Sequence, residues 1–149
     1  MNNKAAQFDV LVEELNKEGN TWFIKDVVEN DELGTVVYHG HLNINDRDLP
    51  VFVVLDNSVF SFVRVALTTN GVDKRKVKTI VTKLNELNQT YKAFKYYLLD
   101  SDSNIYLDAS VPTGDDNFDP ALLVNLLLQV VRPHLVEVHE DVLAVAGQK

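Results

Sequence analysis

The sequence contains no cysteine, which excludes disulfide bonds and thiolate metal sites. Glycine and proline are also sparse, at 6 and 4 residues, which excludes collagen-like and Pro/Gly-rich disordered classes. Basic residues are outnumbered: 14 Lys and Arg against 22 Asp and Glu give a net charge of −8. Because neutralising phosphates requires clustered Lys and Arg, this balance disfavours nucleic acid and anionic membranes as partners. We expect neutral or basic partners.

Long apolar runs are missing as well, since no uninterrupted run approaches the ~18 residues of a membrane span. The start Met1-Asn2-Asn3-Lys4 lacks the pattern of a signal peptide. With the absence of cysteine, these features predict a cytoplasmic protein. Hydrophobic residues make up 46% and charged residues 24% of the chain, the ordinary balance of a soluble globular protein. Its 149 residues predict a single domain over 1–149.

The hydrophobic periodicity predicts the order helix, three or four strands, helix, two strands, helix. The predicted helices cover 5–18 and 77–88, and a last one begins at Asp119-Pro120. The predicted strands are 22–29, 35–44, 49–55, 59–67, 94–99 and 105–109, the third being apolar on both faces and so central. Hairpin-linked strands between helices indicate an α+β fold of two layers, with an antiparallel sheet of about five strands and three helices.

The second predicted helix has one apolar face. It comprises Val77, Ile80, Val81, Leu84 and Leu87. This spacing is typical of a helix that buries one side, so we expect Leu84 and Leu87 in the core.

The last predicted helix is unusual because Leu122–Val131 is apolar nearly all round. One face of a sheet covers only one side of such a helix. Leu126 and Val130 are therefore candidate partner or dimer residues, and ordinary core burial is an equal alternative. Pro133 is expected to kink or end the helix.

Four histidines and a run of acidic residues are the candidate metal ligands. His39 and His41 lie on one face of a strand and could hold zinc if His134 or His139 gave a third ligand. A solvent-facing stripe is the favoured alternative. The set Asp100, Asp102, Asn104, Tyr106 and Asp108 imitates a calcium loop but lacks its glycine and bidentate glutamate. We therefore predict a hairpin turn there and no metal site.

Catalytic motifs are missing too. The chain has no Gly-x-Ser-x-Gly elbow, no catalytic cysteine, no Gly-x-Gly-x-x-Gly fingerprint and no P-loop. These absences predict neither an enzyme nor a cofactor. A small-molecule-binding domain or an enzyme of unknown reaction stays open as the alternative.

Three segments resemble a known family. They are Leu84-Asn85-Glu86-Leu87-Asn88 at the end of the second helix, the strand Phe94-Lys95-Tyr96-Tyr97, and the strand Ile105-Tyr106-Leu107. With the order of elements, they resemble the YbjN family, whose fold is similar to that of type III secretion chaperones. The resemblance implies a non-enzymatic module that binds protein segments in a chaperone-like or regulatory role, often as a homodimer. A fourth candidate strand and a long tail after Pro133 depart from that pattern.

Overall fold

The computed structural model describes residues 2–17, 19–114 and 116–148. The elements run in the order α1 (Asn3–Asn16), β1 (Ile24–Val27), β2 (Val36–Ile44), β3 (Arg47–Leu55), β4 (Phe60–Ala66), a 3₁₀ turn (Lys74–Lys76), α2 (Val77–Thr90), β5 (Lys95–Leu99), β6 (Asn104–Pro112), α3 (Pro120–Asn125), a π-helical segment (Leu126–Val131) and α4 (Arg132–Ala146). We call the continuous stretch Pro120–Ala146 the C-terminal helix.

The strands form one antiparallel sheet in the order β1-β2-β3-β4-β6-β5. The predicted α+β fold is therefore confirmed. The sheet has six strands because both β1 and β4 belong to it, whereas the sequence predicted about five. β3 lies inside the sheet, in agreement with its apolar side chains on both faces.

The hairpin between β2 and β3 is tighter than expected. Its turn consists of Asn45 and Asp46 alone, with φ angles of 51° and 66°, and Ile44 pairs directly with Arg47. Positive φ at both central residues is the geometry of a two-residue hairpin turn, and Asn and Asp tolerate it better than most residues. The predicted strands 35–44 and 49–55 left a turn of four residues between them, which was wrong because Arg47 and Asp48 already belong to β3.

α1 is tied to the sheet by polar and apolar contacts. The Lys4 side chain is 1% exposed, and its Nζ donates to the carbonyl oxygens of Ser58 and Phe60 at 2.8 and 3.2 Å. The Tyr38 hydroxyl donates to the Asp9 carboxylate at 2.6 Å. The rings of Phe8 and Tyr38 pack with centroids 4.6 Å apart. These contacts place α1 on the face of the sheet that carries Tyr38.

α2 packs on the same face of the sheet as α1 and buries Ile80, Leu84 and Leu87, as the periodicity predicts. Val81, however, is 49% exposed. A residue next to Ile80 in an α-helix lies about 100° around the axis, so it can leave the buried stripe while Leu84 stays within it.

The C-terminal helix does not end at Pro133. The backbone N–H of Arg132 donates to the carbonyl of Leu127, five residues earlier, which is π-helical geometry. Pro133, which has no N–H to donate, follows directly and lies in the first turn of α4. The wider π turn thus precedes the proline, and the helix continues to Ala146.

The C-terminal helix is long and apolar enough to cross a membrane by length and composition alone, with a mean hydropathy of 1.4 over an 18-residue window. The sequence has no uninterrupted run of that length because Asn125, Gln129 and Arg132 interrupt it. Core helices of soluble proteins meet the same criterion, so the finding is weak evidence for a membrane. Here Leu127, Val131 and Leu135 are buried in the core.

Candidate functional site

The two faces of the sheet differ in what covers them. On β2, Val36, Tyr38, Gly40, Leu42 and Ile44 are buried, and His39, His41 and Asn43 between them are exposed. The buried side, which we call the core face, receives the helices. We call the opposite side the outer face. Within residues 2–17, 19–114 and 116–148, no helix covers it.

The outer face carries a group of aromatic side chains around one arginine. We call this group the aromatic patch; it consists of Phe52, Phe62, Arg64, Tyr97 and Tyr106. The sheet register brings these residues together: Phe52 lies opposite Arg64, and Tyr97 lies opposite Tyr106. All five side chains are partly exposed. Exposed aromatic residues that lie next to one another are typical of protein interaction sites.

Arg64 organises the aromatic patch through a buried carboxylate. Its Nε and Nη2 donate to the two oxygens of Asp108 at 2.8 and 3.0 Å, and Asp108 is only 4% exposed. The guanidinium carbon lies 5.0 Å from the Phe62 ring centroid and 5.7 Å from that of Tyr97, within cation–π range. The Tyr97 hydroxyl also donates to both oxygens of Asp108 at 3.1 Å.

The electrostatics of the aromatic patch keep its tyrosines neutral. Burial, and then the negative charge of Asp108, raise the pKa of Tyr97 above its ordinary value. Burial and a hydrogen bond to Asp102 raise the pKa of Tyr106 to about 12. The hydrogen bond from Arg64 to Asp108 raises the pKa of the guanidinium. At neutral pH the tyrosines are neutral and the charge of Arg64 is paired with that of Asp108, so the aromatic patch suits apolar contacts.

A second apolar surface lies on the C-terminal helix. Leu122 and Val130 are 44% and 43% exposed, and Leu126, one turn from each, is half-buried against the core. We call these three residues the helix stripe. Leu126 thus takes part in core packing, whereas Val130 faces solvent.

The four histidines do not meet. His39 and His41 are exposed on the outer face, where the His39 ring lies 3.8 Å from the Asp26 carboxylate. His134 is buried, stacks on Phe94 with ring centroids 4.3 Å apart, and contacts the Tyr96 hydroxyl. His139 is fully buried and contacts the Leu67 carbonyl at 3.0 Å. The zinc hypothesis therefore lacks its third ligand.

Four of the five candidate calcium ligands already hydrogen-bond within the protein. Asp102 accepts from the backbone N–H of Asn104 and from Tyr106, and the Asn104 side chain accepts from Thr68 and Gly71. Asp108 is held by Arg64. Among the residues that the structure describes, no group of three His, Asp or Glu side chains could hold a metal ion. Elemental analysis of the purified protein tests the prediction that it binds none.

The two buried histidines predict a loss of stability in mild acid. Burial lowers the pKa of both His134 and His139. In the unfolded chain these rings take up protons near pH 6.5, and the folded chain binds fewer protons there. The free energy of unfolding should therefore decrease as the pH falls from about 7 to below 6.5. Denaturant unfolding at a series of pH values measures this dependence.

The control for that experiment is the exposed His41. We expect His139→Gln to reduce the pH dependence between about pH 7 and 5.5, and His41→Gln to leave it unchanged. An equal dependence in both variants and the wild type would show that His139 plays no part in it.

The aromatic patch was not singled out in the sequence, although its signal is present. Phe60, Phe62 and Arg64 alternate on one strand, and Tyr97 and Tyr106 lie on strands joined by a hairpin. Period-two spacing places the first three on one face. It does not reveal which face lacks helices, or that Asp108 pairs with Arg64.

No protein-family model matches the chain, and no curated protein matches it in sequence. Among solved structures, the fold is similar to that of a chain in the crystal structure of the ExsC-ExsE complex, with a TM-score of 0.54. The alignment covers 94% of this chain and 96% of that chain at 10% sequence identity. At 10% identity this similarity establishes the fold and no more. The resemblance inferred from the three sequence segments is confirmed at the level of the fold.

Proposed function

We propose that the protein is a non-enzymatic, cytoplasmic, chaperone-like module that binds another polypeptide on the aromatic patch. The observation that carries the proposal is the outer face of the sheet, which no helix of the described residues covers and whose centre is aromatic. The similarity to a chain crystallised in the ExsC-ExsE complex supports a polypeptide partner. The net charge of −8 favours a partner that is neutral or basic. The aromatic patch offers flat rings to apolar side chains, which is how binding hot spots are commonly built.

Selection from a phage-displayed library of random peptides tests this proposal. We expect the wild type to select peptides that carry apolar and basic residues. In a fluorescence anisotropy titration with a selected peptide, Phe62→Ser should weaken binding about ten-fold or more, the usual loss when a central aromatic residue is removed. Circular dichroism of the variant confirms that it is folded.

Val81→Ser is the matched control, since Val81 is an exposed apolar residue on helix α2, away from the outer face of the sheet. It should leave peptide affinity unchanged. Failure to select any peptide, or equal affinities for the wild type and Phe62→Ser, would contradict the proposed binding surface.

We further propose that the chain forms a homodimer through the helix stripe. Leu122 and Val130 present apolar groups to solvent one turn to either side of Leu126. A self-complementary stripe of this kind suits a two-fold interface. Val130→Asp should shift the protein from dimer to monomer in size-exclusion chromatography with light scattering, because an aspartate would be buried without a partner.

Leu126→Asp is the second variant, and it should also reduce folding stability because Leu126 packs on the core. A wild type that stays monomeric at high concentration would refute the dimer. In that case Leu126 only packs on the core, and Leu122 and Val130 are ordinary exposed apolar residues.

A further inference from the structure

A cleft lies away from the aromatic patch, between the segment before β1, the end of β2 and the C-terminal helix. Its volume is about 390 Å³, and it is open to solvent. The residues that line it include Trp22, His41, Leu42, Asn43, Leu128 and Arg132. A small recess of about 30 Å³ extends from it toward the core, where Phe23, Val51 and Leu127 form apolar walls. The cleft thus has an apolar inner end.

The charge of the cleft is opposite to that of the chain. Its lining includes the cation Arg132 and no carboxylate, although acidic residues outnumber basic ones in the sequence. Within residues 2–17, 19–114 and 116–148, Arg132 has no ion pair and no side-chain hydrogen bond. Asp48, a carboxylate beside this region, accepts from the Asn43 side chain at 3.1 Å. Arg132 is therefore an exposed, unpaired cation in a cleft that leads to an apolar recess.

The C-terminal helix lines the cleft at its π-helical segment. Leu128 lies within the segment and Arg132 follows its last residue, and both line the cleft. Single π turns inside α-helices are frequent at functional sites because they displace side chains from the regular helical spacing. Here the π-helical segment lies where the helix passes Trp22 and Leu42.

We propose that this cleft binds an organic anion consisting of a carboxylate attached to an apolar group. The planar guanidinium of Arg132 pairs with the carboxylate through two parallel N–H···O hydrogen bonds. The apolar group lies against Trp22, Leu42 and Leu128 and extends toward the recess. A free carboxylic acid and the C-terminal residue of a polypeptide share this chemistry.

Trp22 supplies the measurement, because it is the single tryptophan of the chain, is 39% exposed and lines the cleft. The intact protein is titrated with N-acetyl-leucine and with N-acetyl-leucinamide, which lacks the charge. A peptide ending in a leucine carboxylate and its amidated form are the second pair of probes. We expect saturable changes in tryptophan fluorescence with the carboxylate probes and not with the amides.

Arg132→Gln should weaken binding of the carboxylate probes by ten-fold or more. The matched control is Arg75→Gln, which removes the same charge from an exposed site on the 3₁₀ turn. It should leave the affinity unchanged. Isothermal titration calorimetry repeats the comparison without relying on the fluorophore.

The two pairs of probes separate the sources of the carboxylate. Binding of N-acetyl-leucine without binding of the peptide carboxylate assigns the cleft to a small free acid, and binding of the peptide carboxylate, alone or together with N-acetyl-leucine, assigns it to a polypeptide C-terminus. No saturable signal with either carboxylate, equal binding of acids and amides, or unchanged affinity in Arg132→Gln would overturn the proposal. Phe62→Ser, which alters the aromatic patch, should leave carboxylate binding intact, so this test is independent of the proposed polypeptide-binding function.

Discussion

Replacing Leu84 with alanine is expected to lower the free energy of unfolding by about 2–5 kcal/mol. Leu84 is 3% exposed and belongs to the core cluster between α2 and the sheet. Truncation removes the transfer free energy of the lost methyl groups. It also leaves a cavity that a close-packed interior fills only in part. Denaturant unfolding followed by circular dichroism measures the difference between variant and wild type.

Val81→Ala provides the matched control on the same helix. Val81 is 49% exposed, so its truncation should change the free energy of unfolding by no more than about 0.5 kcal/mol. A similarly small change in Leu84→Ala would place Leu84 outside the core. It would also contradict the packing of α2 against the sheet.

Replacing Arg64 with methionine is expected to cost about 3 kcal/mol, because it leaves the Asp108 carboxylate buried without its main partner. The loss should lie at the lower end of the range for broken buried pairs. The Tyr97 hydroxyl still donates to Asp108, and the Lys95 ammonium lies 3.9 Å away. The measurement is again denaturant unfolding, at neutral pH, where the carboxylate is ionised in the unfolded chain.

Removing the carboxylate of the pair instead of the arginine is expected to lower the free energy of unfolding by less. Asp108→Leu leaves Arg64, whose side chain is 33% exposed and can be hydrated. The double variant Arg64→Met, Asp108→Leu should recover part of the loss of Arg64→Met, because no buried charge remains. If Arg64→Met costs no more than Asp108→Leu, the carboxylate is not buried in the way that the structure places it.

These two predictions rest on different kinds of information. The burial of Leu84 was predicted from the spacing of Ile80, Leu84 and Leu87, since a helix turns by a fixed angle per residue. The exposure of Val81 was not, because hydrophobicity alone does not define the width of the buried stripe. Similarly, alternation along β2 placed His39 and His41 on the solvent side before the sheet was known.

The pairing of Arg64 with Asp108 could not be predicted in the same way, because the two residues are 44 positions apart. Their contact depends on β4 pairing with β6, and on a register that sets Arg64 opposite Asp108. A shift of one residue in that register would turn one of the side chains to the other face. Two residues of the acidic run that imitates a calcium loop instead make contacts within the protein. Asp108 binds Arg64, and Asp102 accepts a hydrogen bond within the turn.

The sequence by itself determined the local structure: where helices and strands lie, which side chains alternate, and that antiparallel hairpins join the strands. These follow from the fixed periods of helix and strand and from the conformations that Asn, Asp, Gly and Pro favour. Tertiary structure alone decided which sheet face the helices of the described residues leave open and that the C-terminal helix continues past Pro133 to Ala146. It also brought Trp22, His41 and Arg132 around one cleft. Such contacts join distant segments, and they arise from strand register and helix packing, which no local pattern encodes.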